Sequence, residues 1–66
     1  MSVVKVIEVI SEGKTVEEAM QSAVSEAGKT IKDIKQINVE HIEGHVDNNK
    51  IVKIRLHAKI SFVVHH

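Results

Sequence analysis

IVKIRLHAKISFVV, residues 51–64, decides the fold. Val52, Ile54, Leu56, Ala58, Ile60, Phe62 and Val64 fall at every second place, with Lys53, Arg55, His57, Lys59, Ser61 and Val63 between them. Successive side chains of a strand point to opposite faces, so this alternation predicts a strand with one buried and one mainly polar face. At about 3.3 Å per residue the run reaches about 46 Å if straight. A compact chain of this length has a radius of gyration of only about 11 Å. The strand therefore bends strongly or continues past its own subunit, which points to an assembly.

Working outward, Asp47-Asn48-Asn49-Lys50 precedes the run. Asn tolerates the positive φ that a two-residue hairpin turn requires, so a second strand lies before it. Ile37, Val39, Ile42 and Val46 mark that strand, and their parity changes between Val39 and Ile42. Such a change needs an extra residue, which predicts a bulge near Glu40-His41. Further upstream, Thr15-Val16-Glu17-Glu18 fits a capping box. From it Val16, Ala19, Met20, Ala23, Val24, Ala27, Ile31 and Ile34 recur at steps of three and four. That stripe predicts a helix of about five turns, with Gly28 weakening its middle by about 1 kcal/mol. Val3 to Ile10 is rich in β-branched residues and reads as the first strand, with Ser11-Glu12-Gly13-Lys14 as a loop. The order is β-α-β-β over one domain, residues 1–66. Strand one lies beside the hairpin, and the helix covers the apolar face of an α+β, three-stranded sheet.

Composition supports self-association. The chain has 66 residues, one Phe, no Trp or Tyr and no Cys. A core of this size is weak, and chains this small draw on disulfides, metals or oligomerisation. Without cysteine the disulfide route is closed. Nine Lys+Arg balance nine Asp+Glu without a basic block, so no nucleic-acid partner is expected. No apolar run approaches the about 18 residues of a membrane helix, and the N-terminus lacks a signal-peptide pattern. The expected location is the cytoplasm, with no membrane partner.

Candidate chemistry is sparse. Ser2, Ser11, Ser22, Ser25 and Ser61 have no patterned base or acid partner, and Gly13, Gly28 and Gly44 are too scattered for a phosphate loop. No enzymatic activity is expected. His41, His45 and Asp47 share parity on the second strand, and His57 lies on the third. Imidazole and carboxylate suit zinc or another transition metal where they converge. Residues four apart on a strand stand about 13 Å from each other, too far to share an ion unless the bulge intervenes. Glu40, Glu43, Asp47, Asn48 and Asn49 carry the oxygen ligands that calcium prefers, but not in a recognisable calcium loop. A metal cation is thus a possible cofactor with no assigned ligands. His65-His66 read as a purification-tag stub and are set aside.

The ordered set of elements resembles the dodecin family over nearly the whole chain. The resemblance runs through Val4-Lys5-Val6-Ile7-Glu8-Val9-Ile10 and the short loop into the capped helix. It continues through Ala27-Gly28-Lys29-Thr30-Ile31 and Asp33-Ile34-Lys35, and ends in Lys59-Ile60-Ser61-Phe62. The resemblance implies a β-α-β-β subunit whose curved, antiparallel, three-stranded sheet partly wraps its helix. It also implies a homododecamer: a hollow shell of twelve subunits with cubic-type symmetry. Members store or sequester flavins (riboflavin, FMN or FAD) stacked in pairs between symmetry-related aromatic residues, and a sub-group is associated with calcium.

Two departures bear on the ligand. The Trp that stacks on the isoalloxazine ring, just after the helix, corresponds here to Gln36, and neither Ile37 nor Asn38 is aromatic. The Gln of strand three that bonds the polar edge of the ring corresponds to Arg55. The family positions imply Gln36 and Arg55 as the cofactor-binding residues. An aromatic platform gives about 1–3 kcal/mol per stacked ring in comparable nucleobase sites. Its loss implies weakened or altered binding of a small planar ligand. The alternative is a structural or cation-binding shell without flavin.

Overall fold

The structure, a computed structural model, describes residues 2–65. Strand β1 (Ser2–Gly13) leads to helix α1 (Val16–Ala27), followed by β2 (Ile34–Asp47) and β3 (Lys50–His65). The three strands form one sheet in the order β1-β3-β2, antiparallel throughout. The expected β-α-β-β architecture is the observed one, and the structure puts the alternating strand at the centre of the sheet. Of the histidine pair set aside above, His66 lies outside the described residues.

β1 is longer than its β-branched core suggested. Ser11, Glu12 and Gly13 are not a loop; they pair with Leu56, Arg55 and Ile54. Their polarity hid the strand, because Glu12 lies on the face turned from the helix while Ser11 bonds into the helix. The Ser11 hydroxyl donates to the Ala19 carbonyl at 2.7 Å. Thr15 caps α1, its Oγ1 accepting from the Glu18 amide at 3.1 Å. The Glu18 carboxylate reaches back as a capping box requires, but takes the Lys14 amide at 3.0 Å, one residue earlier than usual.

The helix has 12 residues, not about five turns. Gly28 lies at its C-terminus: its amide still bonds Val24 O at 2.8 Å, and residues 28–30 form a turn. Asp33 then adopts φ 58°, a left-handed conformation that ends any helical continuation. Ile31 and Ile34, which continue the helical spacing in sequence, fall outside the helix. Ile34 opens β2, opposite Phe62.

β2 carries the predicted bulge and a second near its start. The register shifts between Val39 and His41, leaving Glu40 unpaired, and between Ile34 and Gln36, leaving Lys35 unpaired. Each extra residue reverses parity. That is why Ile34, then Ile37 and Val39, then Ile42 all share the helix-side face. At the hairpin, Asn48 and Asn49 have φ 52° and 63°, the paired positive values of a type I′ turn.

The core is small. Among the described residues the buried side chains are Ala19 and Ala23 of α1 and Leu56, Ala58 and Ile60 of β3, and only Leu56 and Ile60 are large and fully out of solvent. Each of these contributes about 1.5–3 kcal/mol through burial. Rather than bending back, the sheet runs on: the subunit measures 52 × 20 × 13 Å with a radius of gyration of 13.7 Å. A 12-residue helix is only about 18 Å long, so much of the sheet lies uncovered. Val4, Val6 and Ile10 are exposed on the outer side of β1, and Ile42, Val46, Ile51 and Val52 are exposed toward the hairpin end.

Candidate sheet-face site

The face turned from the helix is built around β3. Lys53, Arg55, His57, Lys59 and Ser61 project from it by simple alternation. Paired residues of neighbouring strands share a face. On β1 these are Glu12, Ile10 and Glu8, opposite Arg55, His57 and Lys59. On β2 they are His45, Glu43, His41, Asn38 and Gln36, opposite Lys53, Arg55, His57, Lys59 and Ser61. The central strand thus carries the cations and the two edge strands carry the carboxylates.

Ion pairs stitch the strands together across this face. Arg55 Nε donates to Glu12 Oε2 at 2.9 Å and its Nη2 lies 2.8 Å from the same oxygen, with Lys53 Nζ at 3.3 Å. The hydrogen bonds from Arg55 and then Lys53 hold the Glu12 carboxyl below the usual glutamate range. On the other side Lys59 Nζ stands 3.4 Å from Glu40 Oε2, and His57 Nε2 stands 3.2 Å from Glu43 Oε1. These groups are half exposed, so each pair is weak alone and their arrangement matters more for register than for stability.

Gln36 and Arg55 both lie on this face but do not meet within one subunit. Gln36 is opposite Ser61, six residues along β3 from Arg55, which is about 20 Å. Gln36 Nε2 donates to Asn38 Oδ1 at 2.7 Å, and Arg55 is engaged by Glu12. His41 and His57 do meet, as direct cross-strand partners with ring centroids 5.9 Å apart and ring planes at 83°. His45 lies opposite Lys53 and Asp47 opposite Lys50, farther along the hairpin. Glu40 and Glu43 turn to different partners. Among the described residues no three His, Asp or Glu side chains converge as a metal cage would require. Glu12 is the residue of this face that sequence alone does not place, since its polar neighbours read as a loop. The signal was available: a strand face bearing Lys53, Arg55 and Lys59 calls for carboxylates on its neighbours.

The fold and this face define a class, a one-helix α+β subunit with two open sheet edges and a central strand that is polar on the face turned from the helix. The dodecin family model matches residues 3–65, and the chain belongs to the dodecin family. No curated protein matches it in sequence. Among solved structures, a variant of Thermus thermophilus dodecin with Trp replaced by Phe superposes with a TM-score of 0.91 at 21% identity, covering 100% of both chains. Dodecin from Streptomyces coelicolor gives 0.88 at 20% identity over 98% of this chain and 94% of that one. Dodecin from Streptomyces davaonensis gives 0.88 at 15%, over 98% and 97%. At such identities the likeness concerns the fold. No helix among the described residues is long and apolar enough to cross a membrane.

Proposed function

We propose that the chain assembles with copies of itself into a homododecameric shell that binds or sequesters a flavin, at a weakened or altered site including Gln36 and Arg55. One observation carries this reading. Both residues lie on one sheet face yet stand about 20 Å apart in a subunit. A single planar ligand therefore meets both only where different copies come together, which ties binding to assembly. The exposed apolar residues of β1 and the hairpin supply surface for that assembly. The Gln36 amide lies flat over a ring, and Arg55 stacks on it or pairs with the phosphate of FMN or FAD. The role is binding and buffering, with no bond made or broken. Affinity is reduced because no indole stacks on the ligand, at about 1–3 kcal/mol per ring.

A second reading, a structural or cation-binding shell without flavin, is favoured by the bonds already made by the two side chains, Gln36 to Asn38 and Arg55 to Glu12. The test combines light scattering with flavin fluorescence quenching. A mass near twelve subunits is expected, and a monodisperse monomer or dimer at micromolar concentration removes the shell. Affinity for riboflavin, FMN or FAD should rise from the parent to Gln36→Trp and again to Gln36→Trp/Arg55→Gln. Should neither variant improve on the parent while the shell stays assembled, the second reading replaces the first.

A further inference from the structure

The geometry points to a site for a divalent late-transition ion, Cu²⁺ or Zn²⁺, held between His41 and His57 on the open sheet face. It is independent of the flavin reading and uses neither Gln36 nor Arg55. The Glu40 bulge shifts β2 by one residue and brings His41 directly opposite His57. Without that bulge His41 would face the helix side. Two imidazoles on one ion, with metal–nitrogen bonds of about 2.0–2.1 Å, place their ring centroids about 4.5 Å apart at a right angle, about 5.2 Å apart in a tetrahedron and about 6.4 Å apart in line. The observed 5.9 Å lies within that span. Both side chains are accessible, with His57 at 38% exposure, so neither ring is locked by packing.

The surroundings suit a cation. The pair borders a shallow depression of about 410 Å³ that Glu8, Ile10 and Glu40 also line. Glu43 lies 3.2 Å from His57 Nε2. Where His57 Nε2 donates to the Glu43 carboxylate, the ring presents the lone pair of Nδ1 to an ion. A carboxylate behind a ligating imidazole fixes its tautomer and raises its basicity. With two protein ligands and no third converging among the described residues, water completes the coordination. Imidazole suits copper, nickel and zinc, and Cu²⁺ binds most strongly in the divalent series.

The test titrates the assembled full-length protein with Cu²⁺ and with Zn²⁺ by calorimetry, at pH 7.5. Because the chain has five histidines, the parent for this test carries His65→Ser and His66→Ser. One ion per chain is expected, with Cu²⁺ the tighter. His41→Gln and His57→Gln should each weaken binding by at least the ~10-fold that loss of an outer partner produces, while His45→Gln should leave it unchanged. The Cu²⁺ spectrum should carry the hyperfine signature of two imidazole nitrogens in the parent and of one in each single variant. Equal affinity in the parent and both single variants, or a loss with His45→Gln as large as theirs, overturns the site and leaves the pair as edge-on packing.

Discussion

One methyl group at Gly13 should cost this protein more than most single substitutions on its surface. A Cβ there would stand 2.7 Å from Ala19 N, 3.1 Å from Ala19 Cα and 3.1 Å from the Glu18 carbonyl carbon. Comfortable separation for such atoms is about 3.5 Å, so the nearest contact falls about 0.8 Å short. All three opposing atoms are backbone and no side chain can swing aside. The helix amide involved bonds Thr15 O at 3.0 Å, and the Ala19 carbonyl holds Ser11 Oγ at 2.7 Å, so retreat of the helix strains both. Overpacking costs about 1–3 kcal/mol. The stiffer unfolded chain returns about 0.4–1 kcal/mol, leaving a net loss of about 1.3 kcal/mol for Gly13→Ala. With a urea slope of about 2 kcal/mol/M, the unfolding midpoint drops by about 0.6 M. Gly44→Ala is the control, since its Cβ would meet only the Ile51 side chain, at 3.7–3.9 Å, and should be neutral or stabilising. Both are measured by circular dichroism at one fixed protein concentration, because association shifts apparent stability. A Gly13→Ala midpoint equal to the parent's, or equal losses at both glycines, refutes the close-approach argument.

Two further predictions follow from the core and the sheet face. Ile60→Ala removes a large side chain with no solvent exposure and should destabilise by about 2–5 kcal/mol, read as a lowered denaturation midpoint; a loss under about 1 kcal/mol would place the core elsewhere. In an NMR titration the Glu12 carboxyl should deprotonate below the ordinary glutamate range, owing first to its hydrogen bond from Arg55 and then to that from Lys53. Arg55→Gln should move its midpoint upward. Because the folded value is the lower one, this contribution to stability is present above the ordinary carboxylate range and is lost as pH falls through the lowered folded value. An unchanged Glu12 midpoint in Arg55→Gln would count against the pairing.

Strand β3 was legible because period-2 alternation over residues 51–64 has no competing helical reading. The Asn48-Asn49 turn and the Glu40 bulge were legible for local reasons, the first from residues that tolerate positive φ and the second from a parity break. The helix end was not. Ile31 lies four residues after Ala27 and Ile34 three after Ile31, and it is the turn over 28–30, the left-handed Asp33 and the pairing of Ile34 with Phe62 that separate them from the helix. Misassigning Ile34 also concealed the Lys35 bulge, since the parity break needs Ile34 in the strand to be seen. Glu12 and Gly13 were missed because their reasons for being in a strand are tertiary: one answers Arg55, the other admits the helix backbone. Of the sheet-face residues, sequence could name His41 and His57. Their opposition depended on the register shift.

The order of the strands in space has a consequence for how the chain must fold. β3 lies between β1 and β2 yet is the last of the four elements to be synthesised. Until its residues leave the ribosome, neither earlier strand has a partner, and α1 has no Leu56 or Ile60 to pack on. Pairs such as Val3 with Val64 close almost the whole chain into one loop, an entropic cost met before the contact forms. Folding therefore waits for the end of the domain and proceeds slowly for so short a chain. In that interval two unpaired strands, one of them the apolar Val3–Ile10, are open to wrong pairing with neighbours.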